Sequence, residues 1–488
     1  MTKVNSRVTM WYFMAEQEKL TTSAFGRFMK LGALAGRVGF SLVGEKALGL
    51  FLSEDSHEMR MAKSWAKNAE KIADTLGKLK GGAMKIGQML SIQEALLPKE
   101  LTFVLKSLQR DAPTVSARVM YETLDGDIPD WRQRITEIDD KPMAAASIGQ
   151  VHKARLNDGR EVAIKIQYPK IDHAIFSDLK NLRRLFELIL ESMLASNLDH
   201  LFAEVEARLI EEVDYRRELR RIDEFRAFYA DRPEILIPKP VPEMSSQRVL
   251  TTELLMGYSI EEARRHGQEE KNTWGRLLYR SLAEQLLAFR QLQSDPNPAN
   301  YAFRDGGKLI LYDFGSIKEL PDWLHAGYVE TIAACRAGRF EDLTQVLLSL
   351  QVKLKNGEPV PYKHVQLFRD ALSPVFVERP YRFSNERDPI RKIINYNREN
   401  FNELKDITFP GDVLFVDRAI VGLVGNLTAL GAEANWAALS NRSAGSFSSA
   451  FATAAATFAG TDFRSCVTTC AGSAMIFMMI CWAEPPRC

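Results

Sequence analysis

An aspartate and an asparagine five residues apart, Asp295 and Asn300, precede a second aspartate that opens Asp313-Phe314-Gly315 in SDPNPANYAFRDGGKLILYDFGS (294–316). Those residue types at that spacing suit transfer of a phosphoryl group from ATP. One carboxylate orients the attacking hydroxyl or water, while an amide and a second carboxylate hold Mg²⁺ against the phosphates. The elements that must position them are short. Arg304-Asp305-Gly306-Gly307 reads as a hairpin turn, and Lys308–Tyr312 as a buried strand delivering Asp313. An Asp-Pro-Asn-Pro run alone is often a turn, and a lone Asp-Phe-Gly is a weak signal. Together, at this spacing, they indicate a nucleotide site with Asn300 and Asp313 as metal ligands.

The Asp-to-Asn spacing matches a kinase catalytic loop, with Gln293-Ser294 standing where His-Arg is usual. Upstream, Ala144-Ala145-Ala146-Ser147-Ile148-Gly149-Gln150-Val151 leads into strand-like His152–Leu156, a turn at Asn157-Asp158-Gly159, and Glu161-Val162-Ala163-Ile164-Lys165. This is the layout of a phosphate-covering hairpin followed by the strand that presents an ATP-binding lysine. Ala144 and Ala146 occupy the first two glycine positions of the usual Gly-x-Gly-x-x-Gly, and Gly149 the third. A methyl at those positions limits backbone approach to phosphates, so this hairpin is expected to grip nucleotide differently.

Leu201–Tyr229 reads as one long amphipathic helix, with Phe202, Val205, Leu209, Val213, Ile222 and Phe225 at core spacing. A kinase fold needs a glutamate on that helix to hold the lysine, and spacing leaves Glu206, Glu212 and Glu218 open. Val249–Met256 reads as a strand running into Gly257, the expected place for a hinge between lobes that holds adenine through backbone groups, with Glu253 and Leu254 among the nucleotide-binding candidates. Trp274–Leu292 is predicted to be a helix leading into the Asp295 loop. After Gly315 a turn at Leu320-Pro321-Asp322 follows within a few residues, so no long peptide-docking segment is expected. Residues 323–436 are mostly helical by pattern.

A chain of 488 residues with net charge +1 accommodates two or three domains and argues against a dedicated nucleic-acid surface. Four of the five cysteines fall in the last 23 residues, so no disulfide framework spans the body, and a reducing compartment is expected. The seven histidines are scattered without a zinc-type pattern. Met1–Leu20 has no secretory signal pattern. Leu31–Leu52 carries small residues on one helical face, and fits either a helix buried beneath the domain or an interfacial membrane helix. Met61–Pro98 has helical periodicity and carries Lys85-Ile86-Gly87-Gln88, with Lys85 and Gln88 on one face. Ile128–Met143, polar and bounded by prolines, reads as a boundary. Beyond residue 440 a biased Ala/Ser/Phe/Thr stretch leads to an apolar Ser465–Trp482. That end fits an atypical tail, a membrane-associated segment or a cysteine metal cluster.

With these blocks in order, the sequence resembles the UbiB/ADCK atypical kinases, in particular the subgroup linked to coenzyme Q biosynthesis. The resemblance runs from about Ala24 to Leu439 and rests on KGGAMKIGQMLSIQ, AAASIGQVHKA, VAIKIQYP, EEVDYRRE, LTTEL, SDPNPAN and LYDFG. It implies an α+β, bilobal protein-kinase-like fold with a helical N-terminal extension carrying a KxGQ motif. The expected divisions are 1–55, 56–140 (extension), 141–256 (N-lobe), 257–440 (C-lobe) and 441–488 (tail).

Carried over residue by residue, it implies that Lys165 contacts phosphates and pairs with Glu218. Asp295 would be the catalytic-loop aspartate. Ala144, Ala145, Ala146, Ser147, Gly149 and Val151 would form an alanine-rich nucleotide loop that disfavours protein-kinase-like transfer. Lys85 and Gln88 would cover the site, Lys85 meeting Glu212 and Asp214. Asn297 departs from the histidine of many relatives. ATP or ADP and Mg²⁺ are the expected ligands, and a lipid or quinone-precursor small molecule and an anionic membrane surface the expected partners. Quinone-biosynthesis enzymes and a second copy of the chain are further candidates. The expected location is peripheral on a membrane, at the cytoplasmic face of a bacterial inner membrane or the matrix side in a mitochondrion. Rival readings are a protein kinase and a nucleotide-gated scaffold.

Overall fold

The structure, a computed structural model, describes residues 115–439 apart from 147, 172–174, 177–178, 181–182, 184–205, 207–208, 367–378, 388–392, 394–395, 397–398, 405 and 437. The helices that carry the fold are α1 (Ala117–Asp127), α2 (Trp131–Arg134), α3 (Tyr215–Phe228), α4 (Ile260–Ala263), α5 (Gln268–Glu284), α6 (Asp322–Ala337), α7 (Leu343–Ser349) and α8 (Gly411–Leu430). The strands that frame the site are β1 (Ile135–Ile138), β2 (Ala144–Ala146), β3 (Gly149–Leu156), β4 (Glu161–Gln167), β5 (Ile235–Leu236), β6 (Val249–Glu253), β7 (Gln291–Gln293), β8 (Tyr301–Arg304), β9 (Lys308–Leu311) and β10 (Ile317–Glu319). These residues form two compact units. One holds residues up to Arg217 together with Val241–Glu253, the other Glu218–Pro240 and the chain from Leu254 onward.

The first unit is built on an antiparallel sheet in the order β1-β3-β4-β6, with β2 added to β3. Its long hairpin turns at Asn157-Asp158-Gly159, where Gly159 takes φ +88° and Asp158 accepts the Arg160 amide at 3.0 Å. Val162, Ile164 and Ile166 are buried along β4 while Ala163 and Lys165 lie on its other face, the period-2 alternation of a half-covered strand. Residues 128–143, polar by pattern, contain α2 and the edge strand β1. Trp131 is buried there and donates its indole N–H to Asp125 at 2.8 Å. Helix α1 is pinned to the sheet by Thr123, whose hydroxyl donates to Gln167 O at 3.0 Å. Asp127 accepts from Ser246 at 2.6 Å and from Arg248 Nε at 3.0 Å. Burial alone would raise Asp127, but these donors and the guanidinium charge hold it below the usual carboxylate range.

The helix expected over Leu201–Tyr229 is interrupted at Val213–Asp214. The backbone leaves the helix to serve the sheet: Gln167 Nε2 donates to Val213 O at 2.9 Å, and Tyr215 N donates to Gln247 O at 2.9 Å. Asp214 then accepts the Arg216 amide at 3.1 Å, satisfying an otherwise orphaned donor at the start of α3.

The second unit packs α6, α7 and α8 around Leu324, Tyr328, Val346, Leu347, Val413 and Val416. Beside them β5, β9 and β8 form a small sheet, with β5 parallel and β8 antiparallel to β9. The β8–β9 turn uses Gly306 and Gly307 at φ +75° and +66°. The predicted helix before the Asp295 loop starts earlier, at Gln268, and ends earlier, in a π-turn over Gln285–Phe289. Arg290 follows at φ 60° and turns the chain into β7.

Candidate functional site

In the first unit, the expected phosphate hairpin is β2–β3. Backbone pairing lines up Ala144, Val151, Lys165 and Leu250 in one row across β2, β3, β4 and β6. Directly paired residues share a face, so Ala144, Val151 and Lys165 present side chains to the same side of the sheet. Lys165 Nζ lies over the Tyr215 ring at 4.9 Å from its centroid. Gly149 is also required by packing. A Cβ there would stand 2.1 Å from Ile166 O, so the missing side chain lets β4 backbone pass alongside. Beneath this loop Gln150 and His152 are fully buried and bonded to one another at 3.3 Å. Gln150 also donates to Val115 O, and the other nitrogen of His152 contacts Asp139 O at 2.8 Å. Glu253 ends β6 opposite Val162 with its side chain exposed, and Leu254 begins the crossing into the second unit. Ser147, Lys85 and Gln88 lie outside the described residues.

In the second unit the Asp295 loop and the Asp313 turn are zipped together. Strands β7 and β10 pair antiparallel from Gln293↔Ile317 to Gln291↔Glu319. Gln293 and Ser294, which stand in place of His-Arg, supply the rest. The Gln293 amide donates to Asp313 O, and the Ser294 amide and hydroxyl both donate to Ser316 O, at 2.9 and 3.0 Å. Asn300 Nδ2 donates to Asp295 O at 3.1 Å and to Asp295 Oδ2 at 3.3 Å, while Tyr312 N donates to Asn300 O at 3.1 Å. Asp313 Oδ1 accepts the Gly315 amide at 2.9 Å. Asp295, Asn300 and Asp313 are therefore brought together as their spacing predicts. Tyr301 reports both carboxylates: burial, then the charges of Asp295 and Asp313, push its phenol up.

Of the three glutamates that spacing leaves open, Glu218 is buried at 5% exposure, Glu212 is half-buried and Glu206 exposed. A Cβ on Gly315 would lie 3.5 Å from Glu218 Oε2 and 3.3 Å from Asp313 Oδ1, so the two carboxylates flank that glycine. Helix α3 is held to the same turn by Phe225 against Phe314, ring centroids 5.0 Å apart. Asp214 is engaged with Arg216 at 3.0 Å.

Gly257, read as a hinge, is required by packing. A Cβ would meet Phe303 O at 2.8 Å, because Tyr258 and Phe303 exchange backbone hydrogen bonds at 2.7 and 2.9 Å.

Sequence reasoning missed Arg418, whose guanidinium donates to Asp295 Oδ1 at 3.0 Å from α8. An adjacent Asp417-Arg418 pair inside a largely apolar helix was the available signal. A separate cluster, His266, Glu270 and Asp305, brings candidate ligand atoms within 4.8 Å of one another. Its groups already serve each other and the backbone. Glu270 accepts the Gly267 amide at 3.2 Å and faces His266 at 3.5 Å, and Asp305 accepts the Tyr258 hydroxyl at 3.1 Å.

A nucleotide-type loop pair in one unit and a lysine-bearing antiparallel sheet in the other define a kinase-like fold, and comparison with known proteins agrees. Residues 107–347 match the ABC1 atypical kinase-like domain. The chain carries an ABC1 atypical kinase-like domain, and its curated relatives include the COQ8 atypical kinases. It is 31% identical over 330 residues to atypical kinase COQ8B, mitochondrial, of Danio rerio, covering 66% of this chain and 53% of that protein. It is 33% identical over 306 residues to atypical kinase COQ8, mitochondrial, of Saccharomyces cerevisiae, covering 62% and 60%. The chain thus spans between about half and two thirds of the length of these relatives. Among solved structures, the complex of Rv3197 with erythromycin from Mycobacterium tuberculosis matches with TM-score 0.55 and 27% identity, over 80% of this chain and 98% of that one.

Proposed function

We propose that this protein binds Mg²⁺–ATP and uses it, by hydrolysis or by transfer to a lipid-like small molecule, in support of ubiquinone biosynthesis at a membrane surface. The observation that carries the reading is the Asn300 amide bonded to Asp295 beside the Asp313 turn, with Glu218 and Asp313 flanking Gly315. The donor set fits Mg²⁺. Because Asn300 spends its N–H₂ on Asp295, its amide oxygen is the atom left to face a cation. One carboxylate and one amide oxygen, completed by water and phosphate, are what this hard ion takes. Mg²⁺ would draw charge from the phosphates. Lys165 would contact those phosphates with Glu218 as its partner, Asp295 would orient the attacking oxygen, and Glu253 and Leu254 would offer backbone groups to adenine. Relatives named as mitochondrial atypical kinases support the ubiquinone and membrane parts.

A protein-kinase reading loses support at the turn itself. Gly315 is followed directly by β10 and then, from Asp322, by α6, leaving no extended segment to seat a peptide. The test is melting temperature with and without Mg²⁺–ADP, then ADP release from Mg²⁺–ATP with anionic liposomes and phenolic quinone precursors. A ligand at about 100 times its Kd should add about 2.7 kcal/mol of stability. Asp313→Asn should abolish the Mg²⁺-dependent part. No shift in the wild type, or an unchanged one in Asp313→Asn, would sink the reading.

A further inference from the structure

The loop that carries Asp295 has no cation of its own: residues 291–300, QLQSDPNPAN, contain no lysine, arginine or histidine. The two side chains just before Asp295 are spent on Asp313 O and Ser316 O. Helix α8, more than a hundred residues later, supplies what the loop lacks. Arg418, Gly422 and Asn426 stand four residues apart and so fall along one stripe of the helix. Each meets Asp295 or Pro296. Arg418 Nη2 donates to Asp295 Oδ1 at 3.0 Å. A Cβ on Gly422 would sit 1.8 Å from Pro296 Cβ and 2.3 Å from its Cγ, so the proline ring occupies the notch of the missing side chain. Asn426 Nδ2 donates to Pro296 O at 3.2 Å. On its other side Asp295 presents Oδ2 to Asn300 at 3.3 Å. The helix is a firm base for such a contact, since Val413, Val416 and Ala419 are buried in the core of the second unit.

We propose that the Arg418–Gly422–Asn426 stripe of α8 is the positioning device for Asp295, with Arg418 fixing the carboxylate and the Gly422 notch and Asn426 fixing the backbone that carries it. The proposal rests on the reading of Asp295 as the carboxylate that orients the attacking oxygen. Arg418 acts through Asp295 and touches no reacting atom. Lysine reproduces the charge but not the geometry of this contact, because a point charge on a flexible stem does not fix a carboxylate's orientation as a planar guanidinium does.

The experiment compares Arg418→Gln, Arg418→Lys, Gly422→Ala and Asn426→Ala with wild type in the full chain. Gly425→Ala is the control, because a Cβ at exposed Gly425 meets nothing within 4 Å. Two readouts are taken. Hydrogen–deuterium exchange of peptides covering 292–301 reports loop position with no need for turnover. ADP release and the Mg²⁺–ADP Kd report chemistry. Arg418→Gln and Gly422→Ala should speed exchange in 292–301. They should also lower kcat about 10- to 100-fold while Kd stays within about threefold. Arg418→Lys should recover part of kcat, and Gly425→Ala should match wild type in both readouts. Wild-type loop exchange in both Arg418→Gln and Gly422→Ala would overturn the proposal, whatever happened to turnover. A wild type without turnover would instead count against the functional reading, and the exchange data would still decide the latch. Should Arg418→Gln fail to fold, Gly422→Ala and Asn426→Ala carry the decision.

Discussion

Asp417 and Arg418 are neighbours with opposite duties. Arg418 meets Asp295, while Asp417 is fully buried and accepts the Tyr328 hydroxyl at 2.8 Å, its second oxygen unpartnered. Burial drives the Asp417 carboxyl well above its usual range, and the Tyr328 hydrogen bond only partly opposes this. The sign follows. An unfolded aspartate titrates near about 3.9, so above that pH the native state holds a proton that the unfolded chain has released. Stability from this group is complete below the unfolded value. It declines by up to about 1.4 kcal/mol per pH unit as pH rises toward the native value. Asp417→Asn removes the titration and keeps an acceptor for Tyr328. Its melting temperature should therefore gain on wild type progressively between pH 5 and pH 8, as scanning fluorimetry would show. A difference that stays flat with pH would mean that the native carboxyl is already ionised. Asp295, Asn300 and Asp313 were legible because their partners are close in sequence. Arg418 was not, because its partner lies 123 positions away.

At the scale of elements, the two hairpins were legible from their turn glycines, and both are present with those glycines at positive φ. The break at Val213–Asp214 was not legible. Helical periodicity continues through it, and the groups that divert the backbone, Gln167 and Gln247, come from the end of β4 and the loop before β6. Gly149 illustrates the same limit. Its motif position says nothing of its packing neighbour, the Ile166 backbone, which cannot move aside as a flexible side chain could. Gly149→Ala should force β3 from β4 and cost about 1–3 kcal/mol. Denaturant melts would register this as a lower midpoint, and a midpoint equal to wild type would show that the strands can part freely. Gly315→Ala is the gentler case. Its Cβ would crowd Asp313 Oδ1 at 3.3 Å and Glu218 Oε2 at 3.5 Å, so it should weaken Mg²⁺–ADP binding with little change in the apo melting temperature.

For the whole molecule, α8 is long and apolar enough to cross a membrane by length and composition. Yet 56% of its most apolar window is buried inside the second unit, and Arg418 and Asn426 on it reach the Asp295 loop. Its hydropathy is accounted for by core packing. The sequence offers two segments for association with a membrane, residues 31–52 and the apolar Ser465–Trp482, and the first is the one to test by deletion. Deleting residues 1–55 should reduce co-sedimentation with anionic vesicles while leaving the Mg²⁺–ADP melting shift intact. Equal vesicle binding after deletion would move the contact elsewhere in the chain.

The sequence by itself determined the chemistry on offer: an amide and two carboxylates at loop spacing, a lysine on an apolar strand, and the order of blocks that marks an ABC1 atypical kinase-like domain. These are local signals, written within a few tens of residues of one another. Tertiary structure buries Glu218, the glutamate the resemblance implies, beside Gly315, and it alone decided where the Leu201–Tyr229 helix breaks and that a distant helix holds Asp295 through Arg418, Gly422 and Asn426. Those outcomes depend on which surfaces meet once the core of each unit is packed, and no periodicity along the chain records such meetings.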